Sequence, residues 1–154
     1  MESDAFETKY TQIVAAYATG EGINPITSAA ENVSNPNGQL VVATNAAFAP
    51  FEYKVGNKFA GIDMEIAAYL AAQLNMELVV KDMDFEAVVT SVGKNGVDIA
   101  MAGLTVDETR KQSVNFTVAY YDAAQVLITL DGDTNFDACV TAEDVIAKLE
   151  ELAK

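Results

Sequence analysis

The sequence lacks histidine altogether and has a single cysteine, Cys139, among its 154 residues. Without histidine it cannot build the Ser-His-Asp or Cys-His arrangements of nucleophilic enzymes, nor a zinc site with imidazole ligands. One cysteine cannot form an internal disulfide. Any catalysis would therefore have to rely on carboxylates, lysine, tyrosine or serine.

Basic residues and long apolar runs are also scarce. Nine Lys and Arg residues stand against 23 Asp and Glu residues, so the formal net charge is −14 at pH 7. Such a surface repels phosphate backbones and anionic lipids, and no apolar run reaches the roughly 20 residues that span a bilayer. The sequence therefore predicts no nucleic-acid partner and no direct membrane insertion.

Apolar residues make up 51% of the chain, which is typical of a packed globular protein. Three zones of the chain differ in composition and residue pattern. Residues 1–38 are expected to form an amino-terminal helix and an extended linker. The helix is predicted over residues 4–18, because apolar side chains recur there at helical spacing: Phe6, Tyr10, Ile13, Val14 and Tyr17. Gly20 and Gly22 are expected to end it.

The second zone, residues 39–130, alternates β-rich runs with helical patterns. Strands are predicted over 40–44, 77–81, 97–103 and 123–130. Helices are predicted over 63–74 and 84–92, with Asp63 and Asp84 as their N-caps. This alternation predicts an α/β fold, a mostly parallel sheet with helices on both faces.

The third zone, residues 131–154, is predicted to carry a helix that starts at Thr141, with Asp144 as a weak capping-box partner. Its apolar stripe consists of Val145, Ile146, Leu149 and Leu152. The acidic turn at 131–137 lacks the glycine and the glutamate that a calcium loop requires. We therefore predict no metal site and no cofactor.

Two segments follow predicted strands, and ligands of parallel sheets bind at the carboxyl ends of strands. In the first, residues 45–53, Phe48 is predicted to face a ligand, whereas Phe51 and Tyr53 are interpreted as core or hairpin residues. In the second, residues 102–111, small residues, a hydroxyl and an arginine suit a carboxylate or phosphate: Gly103, Thr105 and Arg110. The alternative is that Arg110 pairs with Asp107 or Glu108 on a solvated surface.

An ordered series of motifs links these segments. The series reads LVVATNAAFAPFEY, GIDMEIAAYLAAQL, MDFEAVV, VDIAMAGLTVDETRKQSVNFT and YY. It resembles the first lobe of the polar amino-acid-binding proteins of ABC transporters, type II periplasmic solute-binding proteins, and most of all their glutamine-binding members. The resemblance covers about residues 39–130.

The resemblance implies a non-covalent amino-acid site and no enzymatic activity. In it, Phe48 and Phe85 sandwich the ligand, and Arg110 holds its α-carboxylate with Thr105 and Gly103. Asn45 stands where several members carry an acidic residue, which favours a neutral polar ligand over a cationic side chain. The implied partner is the membrane permease of an ABC importer. The implied location is extracytoplasmic, periplasmic or as a cell-surface lipoprotein, with no signal sequence in MESDAFE.

The resemblance also implies a second lobe, which would begin about where the chain ends. Residues 131–154 are then interpreted as a post-hinge helix, the start of that missing lobe. We expect a single lobe to bind weakly, on the order of millimolar. The amino-terminal helix is hypothesised to fill the place of the family's closing helices. Two alternatives remain: a structural fragment that forms a homodimer through apolar surface, and a dehydratase-like enzyme that reuses the same arginine.

Overall fold

The computed structural model describes residues 3–19, 37–124 and 126–154. The predicted helix end at Gly20 and Gly22 and most of the predicted linker lie outside these ranges. The chain divides into two compact units, Met1–Tyr120 and Tyr121–Lys154. None of the helices in the described ranges has the length and apolar character needed to cross a bilayer.

The first unit alternates helices and strands along the chain. Its described elements are α1 Ser3–Thr19, β1 Gln39–Thr44, β2 Ala47–Phe48, β3 Glu52–Val55, β4 Lys58–Ala60, α2 Ile62–Gln73, β5 Glu77–Asp82, α3 Phe85–Ser91, β6 Ile99–Ala100 and α4 Glu108–Lys111. The central sheet has the order β5-β1-β6, and both pairings are parallel. A second, antiparallel sheet has the order β2-β3-β4.

Strand β1 is buried on both faces, as its continuous apolar run predicts. Leu40 and Val42 join a core cluster with α1 and α2, whereas Val41 and Ala43 join a second cluster with Val88 of α3. Successive side chains of a strand point to opposite faces, so the two clusters lie on the two sides of the sheet. The predicted α/β class, a parallel sheet with helices on both faces, is confirmed.

The N-cap of α2 lies two residues before the predicted cap, and the prediction that Asp63 is the N-cap is wrong. Gly61 holds that place, with φ 126° and ψ 166°, a conformation that only glycine adopts easily. Asp63 is a fully buried residue of the first turn, and its carboxylate accepts bonds from distant groups. Asp84 does hold the N-cap position of α3, but its side chain makes no capping bond.

Helix α1 packs against the first unit along its apolar stripe. Ile13 is buried, and Phe6, Tyr10, Val14 and Tyr17 pack against the same cluster as α2. The Gly61 amide donates to the Tyr17 hydroxyl over 2.9 Å. Burial and a hydrogen bond with Glu65 raise the pKa of Tyr17. The predicted helix is thus present and docked, which the hypothesis of a closing helix requires.

Two strand predictions need correction. Strand β6 covers Ile99–Ala100 only, because the backbone turns away at Gly103, where φ is 55°. The predicted strand over 123–130 is wrong: the described residues of this range form no strand, and Val126, Ile128 and Leu130 are largely exposed. A β-branched pattern favours a strand only where a neighbouring strand supplies hydrogen bonds and packing.

The second unit contains α5, Ala142–Leu152. The Asp144 amide donates to the Thr141 hydroxyl over 3.2 Å, and the Asp144 carboxylate accepts from the Thr141 amide over 2.8 Å. The predicted capping box is therefore confirmed, with both of its bonds formed. None of the residues of α5 is buried, and the apolar stripe is half exposed at Ile146, Leu149 and Leu152.

Candidate functional site

A cavity of about 280 Å³ lies at the carboxyl ends of the three parallel strands. The lining residues come from the segments that follow each strand: Asn45, Ala47, Phe48 and Glu52 after β1, Phe85 after β5, and Ala102 and Gly103 after β6. A shallow depression of about 410 Å³ also runs along the surface of α1. One helix alone lines that depression, so it cannot enclose a ligand, and the cavity is the candidate site.

Four of the six predicted site residues line the cavity. The rings of Phe48 and Phe85 are about half exposed there, and Phe48 stacks on Phe51 with ring centroids 5.5 Å apart. The Asn45 side-chain amide donates to the Met83 carbonyl over 2.9 Å, which fixes its position between β1 and β5. Phe51 packs against the core and Tyr53 lies in β3, so both are core or hairpin residues, as predicted.

Arg110 and Thr105 lie beside the cavity and are not part of its lining. The Arg110 guanidinium carbon lies 5.6 Å from the Phe85 ring centroid, and its Nη1 donates to the Thr105 carbonyl over 2.8 Å. Its Nε also lies 3.3 Å from the Asp107 carboxylate, the pairing that the alternative interpretation anticipates. The guanidinium is thus held against an aromatic wall of the cavity by two groups of its own loop.

The Asp107 carboxylate is the N-cap of α4 and accepts from the Arg110 amide over 2.7 Å. The Arg110 amide therefore already has a hydrogen-bond partner and does not donate to a ligand carboxylate.

Gly103 lies where the cavity wall approaches an aromatic ring. A Cβ at this position would lie 2.8 Å from Cε1 of Phe48, and φ is 55°. Its amide donates to the Asp63 carboxylate over 3.1 Å, so its carbonyl and its lack of a side chain are what it offers to a ligand. Glycine is required here by both the close approach and the backbone conformation.

Of the lining residues that the sequence did not predict, which are Ala47, Glu52 and Ala102, Glu52 is the one with an ionisable side chain. Its side chain is 1% exposed, and Asp63 beside it is 0% exposed. The Tyr120 hydroxyl donates to Asp63 over 2.8 Å, and Oε2 of Glu52 has no hydrogen-bond partner among the described residues. A glutamate in a short hairpin is normally solvated, so no local signal marks this one as buried.

Burial and the neighbouring Asp63 carboxylate raise the pKa of Glu52 to about 9. Burial also raises the pKa of Asp63, against hydrogen bonds from Gly103, Tyr120 and Glu52 that lower it. Burial and the Asp63 charge raise the pKa of Tyr120. At neutral pH Glu52 therefore keeps its proton, since Asp63 is the member of the pair with the donors that stabilise a carboxylate.

The arrangement suits non-covalent recognition of a small polar molecule. Two aromatic rings offer apolar walls, the guanidinium offers a charged donor for a carboxylate, and Glu52 and Asn45 offer polar groups. Within the described ranges, no group of three or more potential metal-ligating residues lies together.

The sequence profile described as "Bacterial extracellular solute-binding proteins, family 3" matches residues 40–152. Among curated proteins, the chain is 36% identical to the arginine-binding extracellular protein ArtP of Bacillus subtilis, over 59% of this chain and 36% of that protein. It is 29% identical to a probable histidine-binding protein of Neisseria gonorrhoeae, over 80% of this chain and 45% of that protein.

A cyclohexadienyl dehydratase of Pseudomonas aeruginosa is 30% identical, over 61% of this chain and 35% of the enzyme. The chain thus spans between about a third and a half of the length of these curated relatives.

Two solved structures resemble the fold. One is the substrate-binding protein of an amino acid ABC transporter, with 38% identity and a TM-score of 0.52 over 54% of this chain and 39% of that one. The other is a single-site mutant of the arginine-bound form of domain 1 from TmArgBP, with 27% identity and a TM-score of 0.53 over 75% of this chain and 92% of that one. Of these two structures, the chain covers the single domain more completely.

Proposed function

We propose, from the premise that this chain belongs to family 3 of the bacterial extracellular solute-binding proteins, that its cavity binds a polar amino acid non-covalently. One observation carries the proposal: the residues after three parallel strands converge on a single cavity with aromatic walls and a guanidinium beside it. The family and the names of its amino-acid-binding relatives support it.

In this proposal Arg110 holds the α-carboxylate of the ligand, helped by Thr105. The Thr105 carbonyl orients the guanidinium, because a bond to Nη1 fixes the plane of the fork. Phe48 and Phe85 contact the aliphatic part of the ligand, and the Gly103 carbonyl accepts a hydrogen bond from its α-ammonium group in this proposal. Asn45 contacts the side chain of the ligand through its amide and favours a neutral polar group there.

We further propose that the chain serves as part of the solute-binding component of an ABC importer. It would work outside the cytoplasm, in a periplasm or on a cell surface, and deliver its ligand to the membrane permease. The description of the family as extracellular supports the location. The resemblance to the substrate-binding protein of an amino acid ABC transporter supports the partner.

The experiment is a calorimetric and thermal-shift screen with the common amino acids, comparing Arg110→Ala with Lys111→Ala. We expect binding on the order of millimolar for the chain as it stands. Arg110→Ala should weaken it about tenfold or more, since a lost charge-assisted hydrogen bond costs roughly 1.5–3 kcal/mol. Lys111→Ala removes the same charge from the next residue, whose amine pairs with Glu108 at the surface, and should leave binding unchanged.

Two outcomes would contradict the proposal. One is that no amino acid binds at tens of millimolar. The other is that Arg110→Ala and Lys111→Ala bind equally well.

The relationship to a cyclohexadienyl dehydratase supports one alternative, an enzyme that acts on a small carboxylate. Glu52 would then be its acid, because burial keeps it protonated at neutral pH. Turnover of a prephenate-like substrate, lost in Glu52→Gln, would favour this alternative over simple binding.

A further inference from the structure

The Glu52–Asp63 pair is a buried acidic pair that opens on the cavity from one side. Glu52 of β3 lines the cavity, and Asp63 of α2 lies behind it with bonds from the Gly103 amide and the Tyr120 hydroxyl. A Cβ on Gly103 would lie 3.9 Å from Oε1 of Glu52, so the carboxyl group borders the same wall as Gly103. Within the described ranges, Oε2 of Glu52 has no hydrogen-bond partner, although the residue is only 1% exposed.

The groups that act on this pair from neighbouring elements are neutral or acidic. They are the carboxyl groups of the pair themselves, the Tyr120 hydroxyl, the Gly103 amide and, through Tyr120, the Tyr10 hydroxyl of α1. Within the described ranges, no lysine or arginine charge contributes to the pKa shifts of these groups. Two buried carboxylates without a cation repel each other strongly, so at least one of the two keeps its proton.

A buried polar atom without a partner costs free energy, and such atoms in native structures call for an explanation. Here the atom belongs to a side chain that lines the cavity, and the walls are aromatic. A cation that entered the cavity would meet a buried acid able to become its counter-ion, and the attraction between opposite charges is stronger at a buried group than in water.

We propose that Glu52 is a further ligand-binding residue, which is a neutral acid in the empty cavity and becomes a carboxylate when the cationic group of an amino acid lies beside it. In this step the O–H bond of Glu52 breaks, the proton passes to solvent, and an ion pair replaces it. No oxidant or other reactant is needed. The inference rests on the proposed function, because it requires that an amino acid binds.

Calorimetry in two buffers tests the exchange directly. At pH 7, the binding heat of L-arginine should differ between phosphate and Tris by the difference in their ionisation enthalpies multiplied by the protons released. We expect close to one proton per ligand bound. The dissociation constant should also fall by about tenfold for each pH unit from 6 to 8, the linkage that full release of one proton imposes.

The matched variants are Glu52→Gln and Glu86→Gln, which remove one acid each. Glu52→Gln should abolish the buffer dependence and the pH slope and weaken binding at pH 8. Glu86 is exposed on the first turn of α3, so Glu86→Gln should retain the behaviour of the wild type. L-glutamine identifies the cation: release with both ligands assigns it to the α-ammonium group, and release with L-arginine alone assigns it to the side chain.

A ligand-free measurement separates this inference from the proposed function. Carbon-detected NMR of the glutamate carboxyl groups should show one resonance, absent from Glu52→Gln, that is still protonated at pH 7. If that resonance titrates below pH 6, the inference is wrong whether or not amino acids bind. If L-arginine binds with no proton release and Glu52→Gln binds equally well, the inference falls and the proposed function stands. If no amino acid binds, both fall.

Discussion

At the scale of single residues, Gly103 is the position where the backbone and the cavity constrain each other most tightly. Its φ of 55° lies in the left-handed region, its amide is paired with buried Asp63, and a Cβ would enter the van der Waals space of Phe48. The same residue therefore sets the shape of the cavity wall and holds the carboxyl pair behind it.

We expect Gly103→Ala to weaken amino-acid binding by about tenfold, the effect of roughly 1.4 kcal/mol, because the methyl group displaces the Phe48 ring. It should also lower the free energy of unfolding by about 1–2 kcal/mol through the backbone conformation. Calorimetry and urea unfolding measure the two effects.

Gly93→Ala is the control for that variant, since Gly93 has φ 74° and no atom within 4 Å of its would-be Cβ. It should share the loss of stability and keep the affinity of the wild type. An unchanged affinity in Gly103→Ala would mean that the Phe48 ring does not contact the ligand.

At the scale of elements, α1 is the part of the first unit whose role the sequence left open. Its stripe packs on the cluster that α2 shares with β1, and the bond from Gly61 to Tyr17 ties α1 to the start of α2. Since α2 carries Asp63 in its first turn, α1 supports the element that holds the carboxyl pair.

Ile13→Ala should therefore destabilise the first unit by about 3 kcal/mol, as expected for truncation of a buried isoleucine. Urea unfolding of the whole chain gives the measurement. Gln12→Ala on the exposed face of the same helix should cost almost nothing. Equal stability of the two variants would show that α1 does not pack on the unit in solution.

The half-exposed stripe of α5 belongs to this scale as well. Its capping box follows from local sequence, because both partners lie within four residues of each other. What covers Ile146, Leu149 and Leu152 does not follow from local sequence. The interpretation of 131–154 as the start of a second lobe, and that of a homodimer, stay predictions.

At the scale of the whole molecule, the net charge of −14 is concentrated outside the site. Residues 39–130 hold eleven acidic and six basic residues, and the remaining 12 acidic residues lie in the two short ends. The charge that matters for pH dependence is buried instead. Burial and the Asp63 charge raise the pKa of Glu52 to about 9 in the folded chain, against its ordinary value of 4.5.

At pH values between 4.5 and about 9, Glu52 is ionised in the unfolded chain and protonated in the folded chain. Each step up in pH therefore favours unfolding, by at most about 1.4 kcal/mol per pH unit. We expect the unfolding free energy of the wild type to fall, relative to Glu52→Gln, from pH 5 to pH 9. Urea unfolding at pH 5, 7 and 8.5 measures it, and parallel pH profiles for the two proteins would contradict it.

Much of the fold could be predicted from the sequence, because the signals are local. Continuous apolar runs mark β1 and β5, and the helical spacing of apolar residues marks α1 and α5. The strand predicted over 123–130 failed because pairing with a neighbour, which a single segment does not encode, decides whether such a run becomes a strand. The prediction of Asp63 as a cap is wrong because local sequence does not distinguish a buried aspartate from a capping one; their hydrogen-bond partners do.

The sequence by itself determined the α/β class, the place of the cavity at the strand ends and the presence of Phe48 and Gly103 there, since periodicity and strand order are properties of short segments. Only the tertiary structure decided that Glu52 and Asp63 meet, that Gly103 and Tyr120 donate to Asp63, and that Arg110 lies against Phe85. The physical reason is desolvation: whether a carboxyl group keeps its proton depends on what the rest of the chain packs around it.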